Sequence, residues 1–405
     1  MPGQLIEIED ARRLVLARAA PLASDSVALA EGAGRVLAED VRSADDVPGF
    51  DNSAMDGYAV RAADTAGAAP EAPVNLRMAG ESRAGHPAGR ALAAGEAVAI
   101  STGGVLPAGA DAVVRVEDTD GGTGTVAMLA AVEPGRNIRR AGEDIRAGDT
   151  VLGAGVELGP AEVGVLASVG LAEVCCTRRP RVALLVTGDE LQPPGEPLRP
   201  GAIRNSNAYS VAALVERSGA QLTAAELVGD ERAATTDAIE SALAGEVAVI
   251  CGGVSVGEHD HVRPALAALG VEQVFWGVAL RPGKPTYFGV APSGALVFGL
   301  PGNPVSAMVT FMLFVAPAIR RMLGSAERTR RATAVLEADY PKQPGRAHLV
   351  RCRLELGDDG WHATPTGPQG SHVLTSMLGA DALAVLPSAR GDVRAGERVE
   401  IELLG

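Results

Sequence analysis

The feature that most constrains the fold is a region between residues 180 and 325, where short apolar segments end abruptly in turns rich in Gly, Pro and charged residues. The apolar segment 247–251 runs without a spacer into GGVSVGEHD, residues 252–260. Four further apolar segments end in similar turns, namely TGDEL (187–191), GDE (229–231), RPGKP (281–285) and LPGNP (300–304). Ligands of doubly wound α/β sheets bind outside the carboxyl ends of the strands, so we expect these loops to form one pocket.

The spacing of apolar residues in this region predicts strands that alternate with helices. We expect strands at 182–186, 223–228, 247–251 and 275–280, and helices near 208–217 and 233–244. Such alternation implies right-handed βαβ crossovers and a mostly parallel, doubly wound sheet. Residues 179–325 are therefore predicted to form an α/β domain.

The remainder of the chain predicts a multidomain subunit of α/β plus β class. In residues 46–139, short apolar runs are interrupted by Gly and Pro, which is typical of an inserted β-rich module. Residues 1–45 and 140–178 would form a discontinuous N-terminal domain, with an amphipathic helix in residues 1–20 and another helix that begins at Pro160. Residues 326–405 predict a barrel-like C-terminal β domain.

Composition excludes several classes of function. The 405 residues carry a formal net charge of −14, which argues against a nucleic-acid or acidic-membrane partner. The first residues lack the basic stretch and apolar core of a secretion signal, so we expect a cytoplasmic protein. The apolar segment 305–319 is short for a membrane span and predicts a buried helix. The four cysteines show no C-x-x-C spacing and predict neither a zinc site nor disulfides.

The loop that follows residue 251 has the composition of a phosphate and metal site. Gly252, Gly253 and Gly257 leave backbone N–H groups open to an anion. Glu258 and Asp260 supply the oxygen ligands that Mg²⁺ prefers, and the acids that end neighbouring strands are expected to join them: Asp189, Glu190 and Asp230. The alternative is that these acids only cap the following helices.

Cations are expected beside this site. Arg281 and Lys284 flank Pro282-Gly283, where their charges would meet a negative ligand, although an exposed turn is the alternative. Pro304 is a favourable first helical residue, so the free N–H groups of its helix would face the same edge. The chain contains no Walker lysine motif and no G-x-G-x-x-G, which excludes ATP-driven motors and nicotinamide dehydrogenases.

The β-rich module carries a polar cluster of its own in PGFDNSAMDGYAV, residues 48–60. Asp51, Asn52, Ser53 and Asp56 supply more donors and acceptors than an ordinary hairpin needs, although a turn that satisfies its own backbone is the alternative. STGG (101–104) and RRAGEDI (139–145) add polar groups. If these segments reach the α/β pocket of another subunit, the working unit is a dimer.

Taken in order, these motifs resemble those of the molybdopterin molybdenumtransferases, the bacterial MoeA family, whose animal relative is the gephyrin E domain. The resemblance runs almost end to end and is carried by PGFDNSAMDGYAV, STGG, RRAGEDI, TGDEL, RNSN (204–207), GGVSVGEHD, PGKP and GLPGNPVSA. It implies an elongated homodimer whose α/β domain holds adenylylated molybdopterin, with a module of the neighbouring subunit closing the cleft. It also implies insertion of molybdate with release of AMP, assisted by Mg²⁺ or another divalent cation.

The resemblance also assigns site residues. The implied catalytic residues are Asp56, Thr102, Asp144, Glu190, Asp230 and Asp260. The implied metal ligands are Glu190, Asp230, Glu258 and Asp260. The implied substrate-binding residues are Ser53, Gly252, Gly253, Ser255, Gly257, Arg281, Lys284, Pro301, Gly302, Asn303, Arg351 and Ser371.

Two positions depart from the family pattern. Bacterial relatives often carry lysines before PGKP, where this chain has Gly277 and Arg281. Arginine keeps the charge but presents a planar fork in place of a compact ammonium, whereas Gly277 loses a charge.

Two other functions stay open at this stage. One is a molybdopterin adenylyltransferase, an enzyme that is also a candidate partner, and the other is a non-catalytic scaffold of the gephyrin type.

Overall fold

The computed structural model describes residues 5–254, 260–326 and 331–404. Ser255, Gly257 and Glu258, which were expected to bind substrate or metal, lie outside the described residues.

The α/β domain contains a six-stranded sheet with the order β2-β1-β3-β6-β5-β4. Its strands are β1 (Arg181–Thr187), β2 (Gln221–Val228), β3 (Val247–Cys251), β4 (Glu272–Trp276), β5 (Tyr287–Val290) and β6 (Leu296–Leu300). The neighbours β2, β1, β3 and β6 are parallel, and β5 runs antiparallel to β6 and β4. Every residue of β3 is buried, as expected for a strand covered on both faces.

Helices cover both faces of this mixed sheet. They are α1 (Asn207–Arg217), α2 (Arg232–Ala242), α3 (Val262–Ala268) and α4 (Pro304–Thr310). One core joins alternate β1 residues such as Leu184 to α1 and α4, while the other joins residues such as Leu185 to α2 and α3. Successive strand side chains point to opposite faces, which places each helix pair on its own side.

The helix that begins with α4 continues through a π-helical turn, Phe311–Val315, to a last segment, Ala316–Met322. By length and composition this helix is apolar enough to cross a membrane, but 67% of its apolar window is buried inside the protein. It is the buried core helix that the sequence predicted.

The N-terminal helix, Ile8–Leu16, packs differently from the prediction. Its buried residues belong to the core of the α/β domain, and Ile6 exchanges backbone hydrogen bonds with Gly277 and Ala279. The chain reaches the expected discontinuous domain only afterwards, where antiparallel strands join residues before 45 to residues after 140. These pairs are Ser24–Ala28 with Glu173–Thr177 and Val41–Arg42 with Thr150–Leu152, beside the helix Pro160–Ser168.

The inserted module is β-rich, as predicted. Its five-stranded sheet comprises, in spatial order, Ala112–Arg115, Gly57–Val60, Glu96–Ile100, Val74–Ser82 and Thr125–Met128. A short ladder between Asn52–Ser53 and Ile138–Arg139 pairs the residues near its two ends.

The C-terminal domain is a closed barrel, which confirms the barrel-like prediction. Five strands form its ring, namely Ala347–Gly357, Gly360–Pro365, Arg331–Leu336, Arg398–Leu403 and Ala382–Leu386, and the last pairs back to the first. A two-residue strand from the α/β domain, Leu280–Arg281, adds to the first barrel strand. The strand expected at 275–280 is therefore wrong: it stops at Trp276 because Gly277 adopts φ 87°, and the chain then crosses to the barrel.

Candidate functional site

The loops singled out in the sequence meet at one edge of the α/β sheet. The parallel strands β1, β2, β3 and β6 all end there, and TGDEL, GDE, residues 252–254 and LPGNP follow them directly. RPGKP reaches the same edge because it immediately precedes β5, which runs in the opposite direction. These loops therefore share one edge of the sheet, although GDE lines neither of the two cavities described below.

A first cavity of about 550 Å³ opens at this edge, and we call it the neutral cavity because mostly uncharged groups line it. Its wall combines the ends of β1, β3 and β6 with the start of α1. The residues that matter below are Thr187, Glu190, Arg204, Asn207, Gly253, Pro301, Gly302 and Asn303.

Two glycines bring the backbone of the β3 loop against β1. Gly252 has φ 98°, and a Cβ there would lie 2.8 Å from both the carbonyl oxygen and the Oγ1 of Thr187. Gly253 has φ 62°, and a Cβ there would lie 2.6 Å from the side chain of Val262. Both contacts are too close for any larger residue, so the loop requires glycine at both positions.

A second cavity, of about 380 Å³, adjoins the first, and we call it the cationic cavity. Arg281, Lys284 and Arg346 line it, together with Ser371 from the C-terminal domain. The two cavities share four wall residues: Pro285, Pro301, Asn303 and His372. The predicted residues Arg281, Lys284 and Ser371 are thus brought together, and Pro301 and Asn303 lie between the two compartments.

The electrostatics of a buried histidine behind this wall show how strongly positive the region is. Burial lowers the pKa of His348 to about 4, and the positive charges of Arg281, Lys342 and Arg346 add to the effect. The histidine is therefore neutral near pH 7 and leaves the cationic charge to the lysine and arginines.

Arg351 does not line either cavity and is 1% exposed, so its expected contact with substrate stays a prediction. Its guanidinium donates to the Ser376 hydroxyl at 3.1 Å and to the Gly370 carbonyl at 3.1 Å, and its backbone N–H donates to Gln369. Arg351 thus holds residues 369–371, which form part of the cationic wall. Its burial lowers its pKa.

The acids of the neighbouring strand ends are only partly assembled. The backbone N–H of Asp230 donates to the Asp189 carboxylate at 3.0 Å, and the N–H of Asp189 donates back to Asp230 at 3.3 Å. Glu190 lines the neutral cavity, and Asp260 is half-buried immediately before α3. Within the described ranges, no three His, Cys, Asp or Glu side chains are grouped closely enough to hold a metal ion. Glu258, the fourth predicted metal ligand, lies outside the described residues, so the predicted set Glu190, Asp230, Glu258 and Asp260 stays a prediction.

The inserted module brings two of its predicted residues together. The Asp56 carboxylate accepts hydrogen bonds from the Thr102 backbone N–H at 2.7 Å and the Thr102 hydroxyl at 3.1 Å. Ser53, in contrast, is fully buried, and its hydroxyl donates to the Met55 carbonyl. Its hydroxyl is thus used within the turn, and its expected contact with substrate stays a prediction.

Asp144 is exposed at the base of the module, where its N–H donates to the Val47 carbonyl. Nearby, Arg140 pairs with Asp51 at 2.6 Å, and Asp51 also accepts from the Ala141 N–H. That backbone bond, followed by the arginine, lowers the pKa of Asp51. None of the described residues of the module lines either cavity of the same chain.

Three family models match the chain in sequence. They are the MoeA N-terminal region (domains I and II) over residues 6–170, a probable molybdopterin-binding domain over 183–321, and the MoeA C-terminal region (domain IV) over 333–404. Their order and bounds follow the regions of the fold.

Relatives match over nearly the whole length. A molybdopterin molybdenumtransferase of Haemophilus influenzae is 38% identical over 94% of each chain, and molybdopterin molybdenumtransferase 2 of Mycobacterium tuberculosis is 39% identical over 93% of this chain and 94% of its own. The chain belongs to the molybdopterin molybdenumtransferase family. The crystal structure of a molybdopterin biosynthesis MoeA protein from Pyrococcus horikoshii superposes with a TM-score of 0.83 at 34% identity, covering 99% of this chain and all of that one.

The structure also shows site residues that sequence reasoning missed in this member of the family. Thr187 and Asn207 line the neutral cavity, and Arg346 and Gln369 line the cationic one. Thr187 and Asn207 lie within TGDEL and RNSN, so the motifs themselves held the signal. Arg346 lies in a turn before a barrel strand, where nothing in the local sequence points towards the sheet edge.

Proposed function

We propose that this protein inserts molybdate into adenylylated molybdopterin and releases AMP, in the cytoplasm and without a nucleic-acid or membrane partner. The observation that carries the proposal is the pair of adjoining cavities at the carboxyl edge of the sheet, one neutral and one lined by Arg281, Lys284 and Arg346. An uncharged organic ring suits the neutral cavity, and a tetrahedral dianion suits the cationic one. The names of the relatives agree with this reaction.

In this proposal the cationic cavity holds the oxyanion. Arg281 and Lys284 lie on either side of the Pro282-Gly283 turn, so both charges reach the same compartment. Arg346 adds a third positive group, which offsets the charge lost at Gly277. A charge-assisted hydrogen bond to an oxyanion is stronger than a neutral one, and these groups need little rearrangement when the dianion enters.

The acids at the strand ends fit a magnesium ion that is shared with the substrate. Mg²⁺ usually takes one or two protein carboxylates and fills its other positions with phosphate oxygens and water, so a preassembled trio is unnecessary. Glu190, Asp230 and Asp260 would hold the ion, which when bound would neutralise charge on the phosphoanhydride.

The proposal includes a homodimer in which the module of one subunit closes the cavities of the other. Asp56 and Thr102 form an organised polar pair, yet the cavities of their own chain contain no described residue of the module. A second copy would supply the missing wall. A molybdopterin adenylyltransferase that makes the substrate is a natural further partner.

The function is tested by giving the purified protein adenylylated molybdopterin and Mg²⁺, with and without molybdate, and measuring AMP. We expect AMP only when molybdate is present. A parallel reaction with molybdopterin and ATP tests the adenylyltransferase alternative, which predicts adenylylated pterin without any other enzyme. No AMP in the first reaction and no adenylylated pterin in the second would favour the scaffold.

Asp260→Ala tests the acid assignment within this function. Because Asp260 precedes α3 and is only half-buried, we expect the variant to remain folded and to lose molybdate-dependent AMP release by at least about a hundredfold. Circular dichroism provides the folding control. Turnover equal to wild type at saturating Mg²⁺ would contradict the assignment of Asp260 to the site.

A further inference from the structure

The neutral cavity contains an acceptor that has no partner. Asn207 is 6% exposed, and its Nδ2 donates to the Gly302 carbonyl at 2.7 Å. A carbonyl can only accept, so this bond fixes the amide orientation and leaves Oδ1 on the other side. Oδ1 is buried and has no hydrogen-bond partner among the described residues. A buried polar atom in this state costs free energy unless a ligand satisfies it.

Thr187 presents a second unpartnered group in the same wall. It ends β1, is 8% exposed, and its Oγ1 is buried with no partner among the residues that the structure describes. Both residues line the neutral cavity. Cys251 lines it too, but burial raises its pKa to about 12, so it remains a neutral thiol that does not compete as an anion.

The chemistry of these atoms selects the part of the substrate that enters. An amide oxygen accepts only, so its ligand must bring an N–H or O–H donor. Molybdate and phosphate dianions bring none. Building on the proposed function, we infer that Asn207 Oδ1 and Thr187 Oγ1 bind the N–H edge of the pterin ring and thereby orient molybdopterin towards the cationic cavity.

Adenine also carries an amino group, but the position of the cavity favours the pterin. The two cavities share Pro285, Pro301, Asn303 and His372, so a ring in one lies next to an oxyanion in the other. The dithiolene that receives molybdenum is attached to the pterin ring system, whereas adenine lies beyond the phosphates. Only the pterin in the neutral cavity brings the dithiolene to the oxyanion.

Thr187→Val removes the hydroxyl and nearly keeps the shape, and Thr187→Ser keeps the hydroxyl. The dissociation constants of molybdopterin, AMP and molybdate are measured separately by calorimetry. We expect Thr187→Val to weaken molybdopterin binding about fivefold to tenfold, the loss expected for one hydrogen bond, while AMP and molybdate binding stay unchanged. Thr187→Ser should restore the affinity.

Asn207→Ala should weaken molybdopterin binding similarly and also lower the Tm, because it removes the bond to Gly302. The matched control is Ser210→Ala. The Ser210 hydroxyl is also buried and unpartnered within the described residues, but it lies outside the cavity wall, so no affinity should change.

If Thr187→Val and Asn207→Ala both bind molybdopterin with wild-type affinity, the inference is overturned but the proposed function still stands. A loss of AMP affinity with unchanged molybdopterin affinity would assign the cavity to adenine and also overturn it. If the wild-type protein binds no molybdopterin and releases no AMP, the proposed function fails together with the inference.

Discussion

Arg281 shows at the scale of a single residue how charge is placed in this site. Its backbone pairs with the barrel strand at His348, while its side chain lines the cationic cavity of the α/β domain. Arg281 thus keeps a cation at the junction of the two domains and presents a guanidinium fork.

Removal of this charge should weaken oxyanion binding. We expect Arg281→Ala to raise the KM for molybdate about tenfold to a hundredfold, which corresponds to one hydrogen bond to a charged group. Arg281→Lys should lose much less because the charge remains. Steady-state AMP release at varied molybdate measures both variants, and an unchanged KM in Arg281→Ala would place the oxyanion elsewhere.

His348 makes stability depend on pH. Its pKa in the folded protein is about 4, below the ordinary value of 6.5, because burial and nearby cations disfavour the charged form. As the pH falls, the unfolded chain takes up this proton first, so stability present above pH 6.5 is lost between about pH 6.5 and 4. We expect this histidine to lower the free energy of unfolding by about 1–2 kcal/mol between pH 7 and 5.

The measurement compares denaturation midpoints of wild type and His348→Phe across this pH range. Phenylalanine keeps a ring against Tyr340, whose ring lies 5.7 Å from that of the histidine, but it cannot titrate. Wild type should therefore lose about 1–2 kcal/mol of stability relative to His348→Phe as the pH falls from 7 to 5, whichever protein is the more stable at pH 7. A constant difference would contradict the assigned pKa.

At the scale of elements, the site depends on strand ends that pack too closely for ordinary side chains. Gly252→Ala would place a methyl group 2.8 Å from Thr187 and force a residue other than glycine to φ 98°. We expect a loss of about 1–3 kcal/mol in stability and weaker molybdopterin binding, because the loop must move away from β1.

Gly294→Ala is the matched control for this substitution. Gly294 also has a positive φ, 88°, but a Cβ there meets nothing within 4 Å. Thermal unfolding of both variants separates backbone strain from crowding. Equal losses of Tm, with unchanged ligand binding in both, would contradict the close packing at Gly252.

The sequence predicted best those elements in which every residue has the same degree of burial. The β3 strand was visible because burial on both faces produces a continuous apolar run. The strand at 275–280 was extended too far because the positive φ of Gly277 is not apparent from an apolar run. The N-terminal helix was assigned to the wrong core because an amphipathic pattern shows that one face is buried, but does not show against which partner.

The same limit applies to the site. Glu190, Arg281, Lys284 and Ser371, which were assigned from the sequence, lie on the cavity walls. Arg351 and Ser53 carried equally suitable side chains, but packing turned both inward towards backbone carbonyls. Whether a polar side chain reaches solvent or its own backbone depends on tertiary packing, which local sequence does not record.

In the proposed homodimer of the whole molecule, each active site is divided between two subunits. The chain has a mass of 41.2 kDa, so light scattering should give twice that value at micromolar concentration. A mass equal to that of one chain would contradict a site shared between two subunits.

Mixed dimers test the sharing directly. Asp56→Ala and Asp260→Ala should each be inactive alone, because one lacks a module residue and the other an α/β residue. Refolded together in equal amounts, they should recover about a quarter of wild-type activity, since half of the dimers would be mixed and each would hold one intact site. No recovery, with mixed dimers shown to form, would contradict a site shared between subunits.

The central claim is that the loops at the strand ends bring an oxyanion and a pterin nucleotide into adjoining compartments for one transfer. The most direct measurement is a single turnover with enzyme in excess over adenylylated molybdopterin, in which AMP and pterin-bound molybdenum are quantified in the same quenched samples. Both should rise together in equal amounts, and Arg281→Ala should slow both equally at low molybdate. AMP released without molybdenum entering the pterin would contradict it.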